Sequence, residues 1–381
     1  MYILLALASL VVVGLVFIDA FEAMVLPRRV TRAYRPARAY YRSLWALWRE
    51  VACRLFRGKR RETFLGVFGP LSMLLLFCLW AAALILAFGL LHWSLATPMD
   101  LSREEPLGPV AYLYFSGVTF FTLGFGDVAP IEPLGRFLAV AEAGIGFGFM
   151  AVIIGYLPVL SQAASQREIT ISLLDARAGS PPTAVEGLSR AARVGRIASI
   201  EPFLAEWERW AAQLLESHLS FPVLVYYRSQ HDNQSWLAAL TAVLDGCALF
   251  IAGVKHVNPY QAQLTFAMAR HAMVDLALVL KVPPHEPEPP RLSPAGFLRL
   301  RERLAEAGLE LEDGQAEQRF AELRAMYEPV AFGLAQRLMF TLPPILAEKR
   351  PIDNWQTSPW LGATPGIGDL PAVEGRDEHF R

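Results

Sequence analysis

The sequence predicts an all-α membrane protein, on three observations. Apolar segments at residues 2–18, 64–91 and 133–160 have the length of helices that cross a bilayer, which needs ~17–25 residues. Residues 106–126 carry no charged side chain, yet they hold Gly124 and Gly126 between two of those segments. The chain beyond residue 160 reads as a series of amphipathic helices. Composition agrees: 54% of the 381 residues are hydrophobic and 19% are charged. A net charge of −1 gives no nucleic-acid footprint. Cys53, Cys78 and Cys247 are too scattered for a metal motif or a disulfide scaffold.

Residues 1–27 form an N-terminal transmembrane anchor, with 2–18 as its core. No basic residue precedes the apolar run and no small-x-small cleavage site follows it, so an anchor is favoured over a signal peptide. Asp19 and Glu22 lie at the end of the span, where ionic groups reach the interface. Residues 28–62 are basic. Positions 28–61 hold twelve Arg or Lys against the single acid Glu50, which marks the cytoplasmic side and leaves the N-terminus outside. Arg29, Arg32, Arg35 and Arg38 recur every third residue, as in a voltage sensor, but Pro36 interrupts them. The preferred reading is a helix on anionic lipid headgroups, worth ~1 kcal/mol per basic residue, with Tyr34, Tyr40, Tyr41, Trp45 and Trp48 at the interface.

Residues 63–163 make one unit. An outer helix, 64–92, runs outward and ends at His92 and Trp93. A short polar loop with Asp100, Arg103, Glu104 and Glu105 follows. The apolar stretch 110–121 spans only ~18 Å as a helix, too short to cross, and therefore re-enters. An inner helix, 133–160, returns the chain to the cytoplasm.

Between them lies Thr122–Asp127, TLGFGD. Irregular backbone at membrane depth must be satisfied by protein or water. Gly124 and Gly126 permit positive φ, and alternating such residues with ordinary ones turns successive carbonyls to one side. Four copies around an axis then stack oxygen cages that replace the hydration shell of a monovalent cation. Thr122, Leu123, Gly124, Phe125 and Gly126 supply the ligands, and the Thr122 hydroxyl is the innermost ring.

The span, short helix, TLGFGD and second span resemble the pore module of potassium channels, whose signature is TVGYGD. Thr122, Gly124, Gly126 and Asp127 match it, while Leu123 replaces Val and Phe125 replaces Tyr. Tyr114, Phe115, Ser116 and Thr119 loosely match the family's pore helix. Pro130, Gly135 and Arg136 fall where simple two-span members carry the same residues. The resemblance covers roughly residues 66–160 and implies a homotetramer with a pore helix at 110–121 and a filter at 122–127. Asp127, Thr119 and Tyr114 are the filter's supports, and Gly146, with Gly144, is the gating hinge. Phe125 lacks the phenol that ties the family's filter to its pore helix, which loosens the cage by ~0.5–1.5 kcal/mol.

Three inner-helix features have two readings each. The glycines Gly144, Gly146 and Gly148 suit a hinge or close helix packing. Pro158 is a kink or the helix end. Glu142, an intramembrane acid, draws cations to a cavity or packs protonated against Ser116 or Thr119 behind the filter; packing is preferred.

The rest divides into a cytoplasmic helical domain at 164–282, a Pro-rich linker at 283–294, helices within 295–348 and a loose tail at 349–381. One helix is capped by Ser199, with Leu204, Trp207, Trp210, Leu214 and His218 on its apolar face. Residues 235–254 read as a buried core helix rather than a fourth span, because Asp245 sits at their centre. Residues 315–339 read as one charged helix. His218, His231, Asp232 and His256 match no zinc spacing, and no GxGxxG is present.

The expected function is a passive potassium-selective channel, not an enzyme, with potassium as the permeant ligand and no cofactor. Its expected partners are its own copies, the bilayer and anionic lipids at 28–61, with no nucleic acid. The site is a multi-pass cell membrane, bacterial by the preference for Arg over Lys. The alternatives are a weakly selective monovalent cation channel, and a membrane-anchored enzyme or receptor with a non-conducting pore-like module.

Overall fold

A computed structural model describes residues 2–24, 35–101, 108–179, 181–193, 200–229, 234–255, 257–312, 314–347, 357–358 and 362–363. The chain divides into two compact units, Met1–Gln162 and Ala163–Arg381. Several residues singled out above lie outside the described ones: Arg28, Arg29, Arg32, Tyr34, Arg103, Glu104, Glu105, Ser199, His231, Asp232, His256 and most of the tail.

The first unit is helical apart from one two-stranded ribbon. α1 (Tyr2–Met24) is apolar over its length and packs on α3 (Gly58–Ser94). Asp19 differs from expectation. It is buried, taking the Ala37 backbone N–H on one oxygen and the Trp80 indole N–H on the other, at 3.1 Å each. α1 and α2 both run antiparallel to α3, one after the other, so the carboxylate near the end of α1 meets the start of α2 (Pro36–Leu55), where unpaired helix N–H groups favour an anion.

α2 also differs. Its aromatic residues pack on α3 instead of facing headgroups. Trp45 is 1% exposed and meets Phe68 edge-on, Trp48 stacks on Phe64 at 4.3 Å, and the Tyr40 hydroxyl donates to the Ser72 carbonyl. Large rings bury more area against a helix than in a wet interface. Arg42, Arg54, Arg57, Lys59 and Arg60 remain exposed.

α3 begins six residues before the predicted boundary and accommodates Pro70. β1 (Met99–Leu101) pairs antiparallel with β2 (Val128–Pro130), on either side of α4 (Pro109–Phe120). α5 (Pro133–Ala178) starts where expected but runs past Pro158 without ending. The missing N–H at Pro158 costs one bond, while Ile171, Leu174 and Ala178 bury a helical stripe further on. Pro158 therefore does not mark the helix end.

The second unit contains the last part of α5 and α6 (Ala184–Arg193), α7 (Ile200–Ser220), a 3-10 turn at Pro222–Tyr226, α8 (Trp236–Gly253) and α9 (Tyr260–Leu280). α10 (Pro294–Glu306), α11 (Ala316–Ala325) and α12 (Glu328–Leu338) follow, with a small antiparallel pair, β3 (Thr357–Ser358) and β4 (Gly362–Ala363). α7 buries Leu204, Trp207, Trp210, Ala211 and Leu214 and packs along α9. α8 is buried on nearly all sides, as a core helix. Ser235 caps it, its hydroxyl accepting from the Ala238 N–H at 3.0 Å. Asp245 is matched inside the domain: Arg291 donates to both its oxygens at 2.8 and 3.2 Å, and the Tyr327 hydroxyl donates at 2.5 Å.

Two expectations are corrected here. Residues 283–294 are not a free linker. The His285 N–H donates to the Pro329 carbonyl, the Arg291 side chain is only 9% exposed, and a Cβ on Gly333 would overlap the Pro283 carbonyl. Proline stiffens this strap, and the Arg291–Asp245 pair fixes it. Residues 315–339 form two helices, because Pro329 begins α12 and Tyr327 leaves helical geometry at φ −133°.

Candidate functional site

The site is built on α4. Pro109 opens this helix, and Tyr112 and Phe115 bury its inner face in a small core with Met99. The Tyr112 hydroxyl donates to the Thr97 carbonyl at 2.8 Å, and Phe115 meets the His92 ring edge-on at 5.3 Å. Gly89 of α3 lets the two helices approach: a Cβ there would stand 3.0 Å from Leu113 Cα.

The C-terminus of α4 sets the start of the irregular segment. The Leu123 N–H donates to the Val118 carbonyl and the Thr122 N–H to the Thr119 carbonyl, at 2.9 and 3.0 Å. This pairing is a Schellman closure with Thr122 as its left-handed residue, at φ +54°. Glycine is the usual occupant. A β-branched residue there is strained by ~1–3 kcal/mol. Sequence reasoning missed this conformation of Thr122. The only available signal is that the segment follows a helix end with no glycine at the closing position.

Gly124 and Gly126 follow at φ +63° and +74°. Positive φ thus recurs at 122, 124 and 126 and skips Leu123 and Phe125. Neither glycine is short of room, since an added Cβ would meet nothing within 4 Å. Their backbone conformation is what requires glycine. Among the described residues, no backbone N–H bonds to the carbonyls of 122–126. Among the described residues, these oxygens are thus free of backbone partners within the protomer. Leu123 and Phe125 are 55% and 65% exposed, both large apolar side chains.

The far end of the segment is tied down. The Tyr114 hydroxyl donates to Asp127 at 2.8 Å. The β1–β2 ribbon follows, and Arg136 Nε donates to the Pro130 carbonyl. Gly135 lies so close to Thr97 that a Cβ would overlap its methyl group. Thr119 contributes its backbone carbonyl.

On the inner helix, Gly146 touches the end of α4: a Cβ would overlap the Phe120 carbonyl. Gly144 and Gly148 have nothing within 4 Å of such an atom. Gly146 thus has a close-packing role, whereas Gly144 faces the protomer's open side. Glu142 is fully buried and forms a hydrogen bond with the Ser116 hydroxyl, which also bonds the Ile85 carbonyl at 2.7 Å. Pro158 lies within α5 rather than at its boundary.

His218 belongs to the second unit. Its Nδ1 meets the Leu214 carbonyl at 2.8 Å and its Nε2 meets an Arg167 N–H at 3.2 Å, the pattern of a neutral ring. Burial first, and the Arg167 charge second, push its pKa well below the ordinary 6.5. Among the described residues, no group of three His, Cys, Asp or Glu is placed to hold a metal ion.

The family match falls in the first unit. Residues 73–160 match the family model described as "Ion channel". The chain is 27% identical over 254 residues to "Uncharacterized membrane protein YdjJ" of Bacillus subtilis (strain 168), covering 65% of this chain and 72% of that one. It is 32% identical over 84 residues to "Protein LctB" of Bacillus caldotenax, 20% of this chain and 62% of the relative. A third relative, "Two pore potassium channel c" of Oryza sativa subsp. japonica, is 34% identical over 70 residues, 18% of this chain and 15% of its own. No solved structure matches the chain. The protein is thus an all-α membrane protein carrying an ion-channel pore segment.

Proposed function

We propose, from the premise that residues 73–160 form an ion-channel pore segment, that the protein is a passive potassium-selective channel assembled as a homotetramer. The observation that carries this reading is the alternation of left-handed backbone at Thr122, Gly124 and Gly126 with carbonyls that no backbone N–H of the described residues uses. One copy supplies a quarter of each cage, so four copies close it on an axis. The exposed Leu123 and Phe125 then find apolar partners in neighbouring copies. Potassium is favoured because the segment offers only neutral dipoles, which bind a large monovalent ion and release it.

In this reading α5 lines the pore and carries the gate at Gly146 and Gly144, with Pro158 as a point of flexure. The basic residues of 28–61 face the cytoplasm and anionic lipid, and the N-terminus is outside. The second unit is cytoplasmic and biases the gate. A weakly selective cation channel is the second reading, and Phe125 favours it, having no hydroxyl to brace the cage.

The test is potassium flux into liposomes holding the purified full-length protein. Gly124→Ala places a side chain where φ is +63° and is expected to abolish flux while the tetramer still forms. Reversal potentials in mixed sodium and potassium separate the two readings. Flux that Gly124→Ala leaves unchanged would place the pathway elsewhere.

A further inference from the structure

Glu142 is the only Asp, Glu, Lys or Arg between Arg136 and Arg167. Its surroundings are equally poor in charge. α4 has no ionisable residue besides Tyr112 and Tyr114, and α3 between Glu62 and its end has only Cys78 and His92. His92 is engaged with Thr97 near the end of α3. Glu142 is fully enclosed within the protomer, with 0% of its surface exposed. An ionised carboxylate in such a place is uncompensated.

The hydrogen bonds give a second argument, independent of the first. The Ser116 oxygen lies 2.7 Å from the Ile85 carbonyl oxygen and also within hydrogen-bond distance of Glu142 Oε1. Each of these oxygen pairs needs a proton between its members. Ser116 has one hydroxyl proton, and the Ile85 carbonyl has none to give. The Ser116 proton must therefore point to Ile85. The second proton belongs to Glu142.

We infer that Glu142 is held as a neutral carboxylic acid that donates to Ser116, which in turn donates to the Ile85 carbonyl. The relay braces three helices: α5 through Glu142, α4 through Ser116 and α3 through Ile85. Glu142 Oε2 has no partner, as the carbonyl end of an un-ionised acid tolerates better than a carboxylate does. Ser116 lies six residues before Thr122, so the brace fixes the helix on which the irregular segment is hung. Glu142 is thus a positioning residue rather than an ion ligand. This role rests on the channel reading, but the protonation state does not.

The proton is read directly by infrared spectroscopy of the full-length protein in lipid at neutral pH. The wild type should show a protonated-carboxyl stretch that is absent from Glu142→Gln. In Ser116→Ala the band should persist and move to higher frequency, because its acceptor is gone. Identical protonated-carboxyl bands in wild type and Glu142→Gln would overturn the inference.

Flux measurements read the brace. Glu142→Gln keeps an N–H donor for Ser116 and should conduct within about twofold of wild type, whereas Glu142→Leu has no donor and should lose about tenfold. Equal losses in both variants would refute the bracing role. If no variant conducts, the wild type included, the channel reading fails while the infrared result still decides the proton.

Discussion

The Tyr114 hydroxyl donates to Asp127 at 2.8 Å, tying the middle of α4 to the residue just after the last left-handed glycine. The segment Thr122–Gly126 is thereby held at both ends: by the backbone closure of α4 at one and by this side-chain bond at the other. Asp127 is one of the four positions where TVGYGD and TLGFGD coincide, and with Phe125 lacking a hydroxyl, Tyr114 supplies a phenol of its own. Tyr114→Phe should lower the potassium-over-sodium permeability ratio by about threefold, the scale of one partly exposed hydrogen bond per subunit. Reversal potentials measure it, with unchanged tetramer elution as the control for folding.

Gly146 and Gly144 should respond unequally to alanine. At Gly146 the new methyl collides with the Phe120 carbonyl, and overpacking of this kind costs about 1–3 kcal/mol per subunit. At Gly144 the methyl meets nothing within the protomer. Thermal melting of the assembled protein in detergent should fall clearly for Gly146→Ala and little for Gly144→Ala. Reduced flux in Gly144→Ala at unchanged melting would mark it as the mobile point.

Thr122 exchanges stability for chemistry. Thr122→Gly removes the β-branched side chain from a left-handed position, and the relief is worth about 1 kcal/mol. Its melting temperature in potassium-free buffer should rise. In the proposed tetramer selectivity should drop, because Thr122 would no longer supply a ring of hydroxyls. Both a fall in melting temperature and full retention of selectivity would contradict this account of the residue.

Acid should loosen the second unit through His218. Burial holds its pKa well below 6.5, so the folded ring stays neutral where the unfolded ring takes up a proton. The unfolded state then binds more protons, and stability falls as pH drops below the ordinary histidine range, by at most about 1.4 kcal/mol per pH unit. Urea midpoints for unfolding of the helical domain within the full-length protein, taken at pH 7.5 and pH 5.5, test this. His218→Gln should flatten the difference.

Much of the first unit was readable because bilayer length and charge exclusion act on whole segments. The spans at 2–18, 64–91 and 133–160 lie within α1, α3 and α5. The glycine alternation was visible because glycine at two-residue spacing has a backbone meaning. What escaped was set by partners distant in sequence. Asp19 reads as an interfacial acid until Trp80, 61 residues later, closes on it. Trp45 and Trp48 read as membrane belt until α3 covers them. The proline strap reads as linker because its anchor, Arg291 on Asp245, joins residues 46 apart. Thr122 escaped for a different reason: propensity argues against left-handed threonine, and the helix closure overrides it.

Alternation of backbone handedness makes the short loop a matter of parity. One extra residue between Thr119 and Gly124 would exchange odd and even positions, putting side chains where only glycine is comfortable and facing successive oxygens the wrong way. An insertion of two would restore the order but break the closure from Leu123 to Val118. Length in this part of the chain is therefore as tightly constrained as residue identity, and homologous genes should vary here by substitution and almost never by gaps.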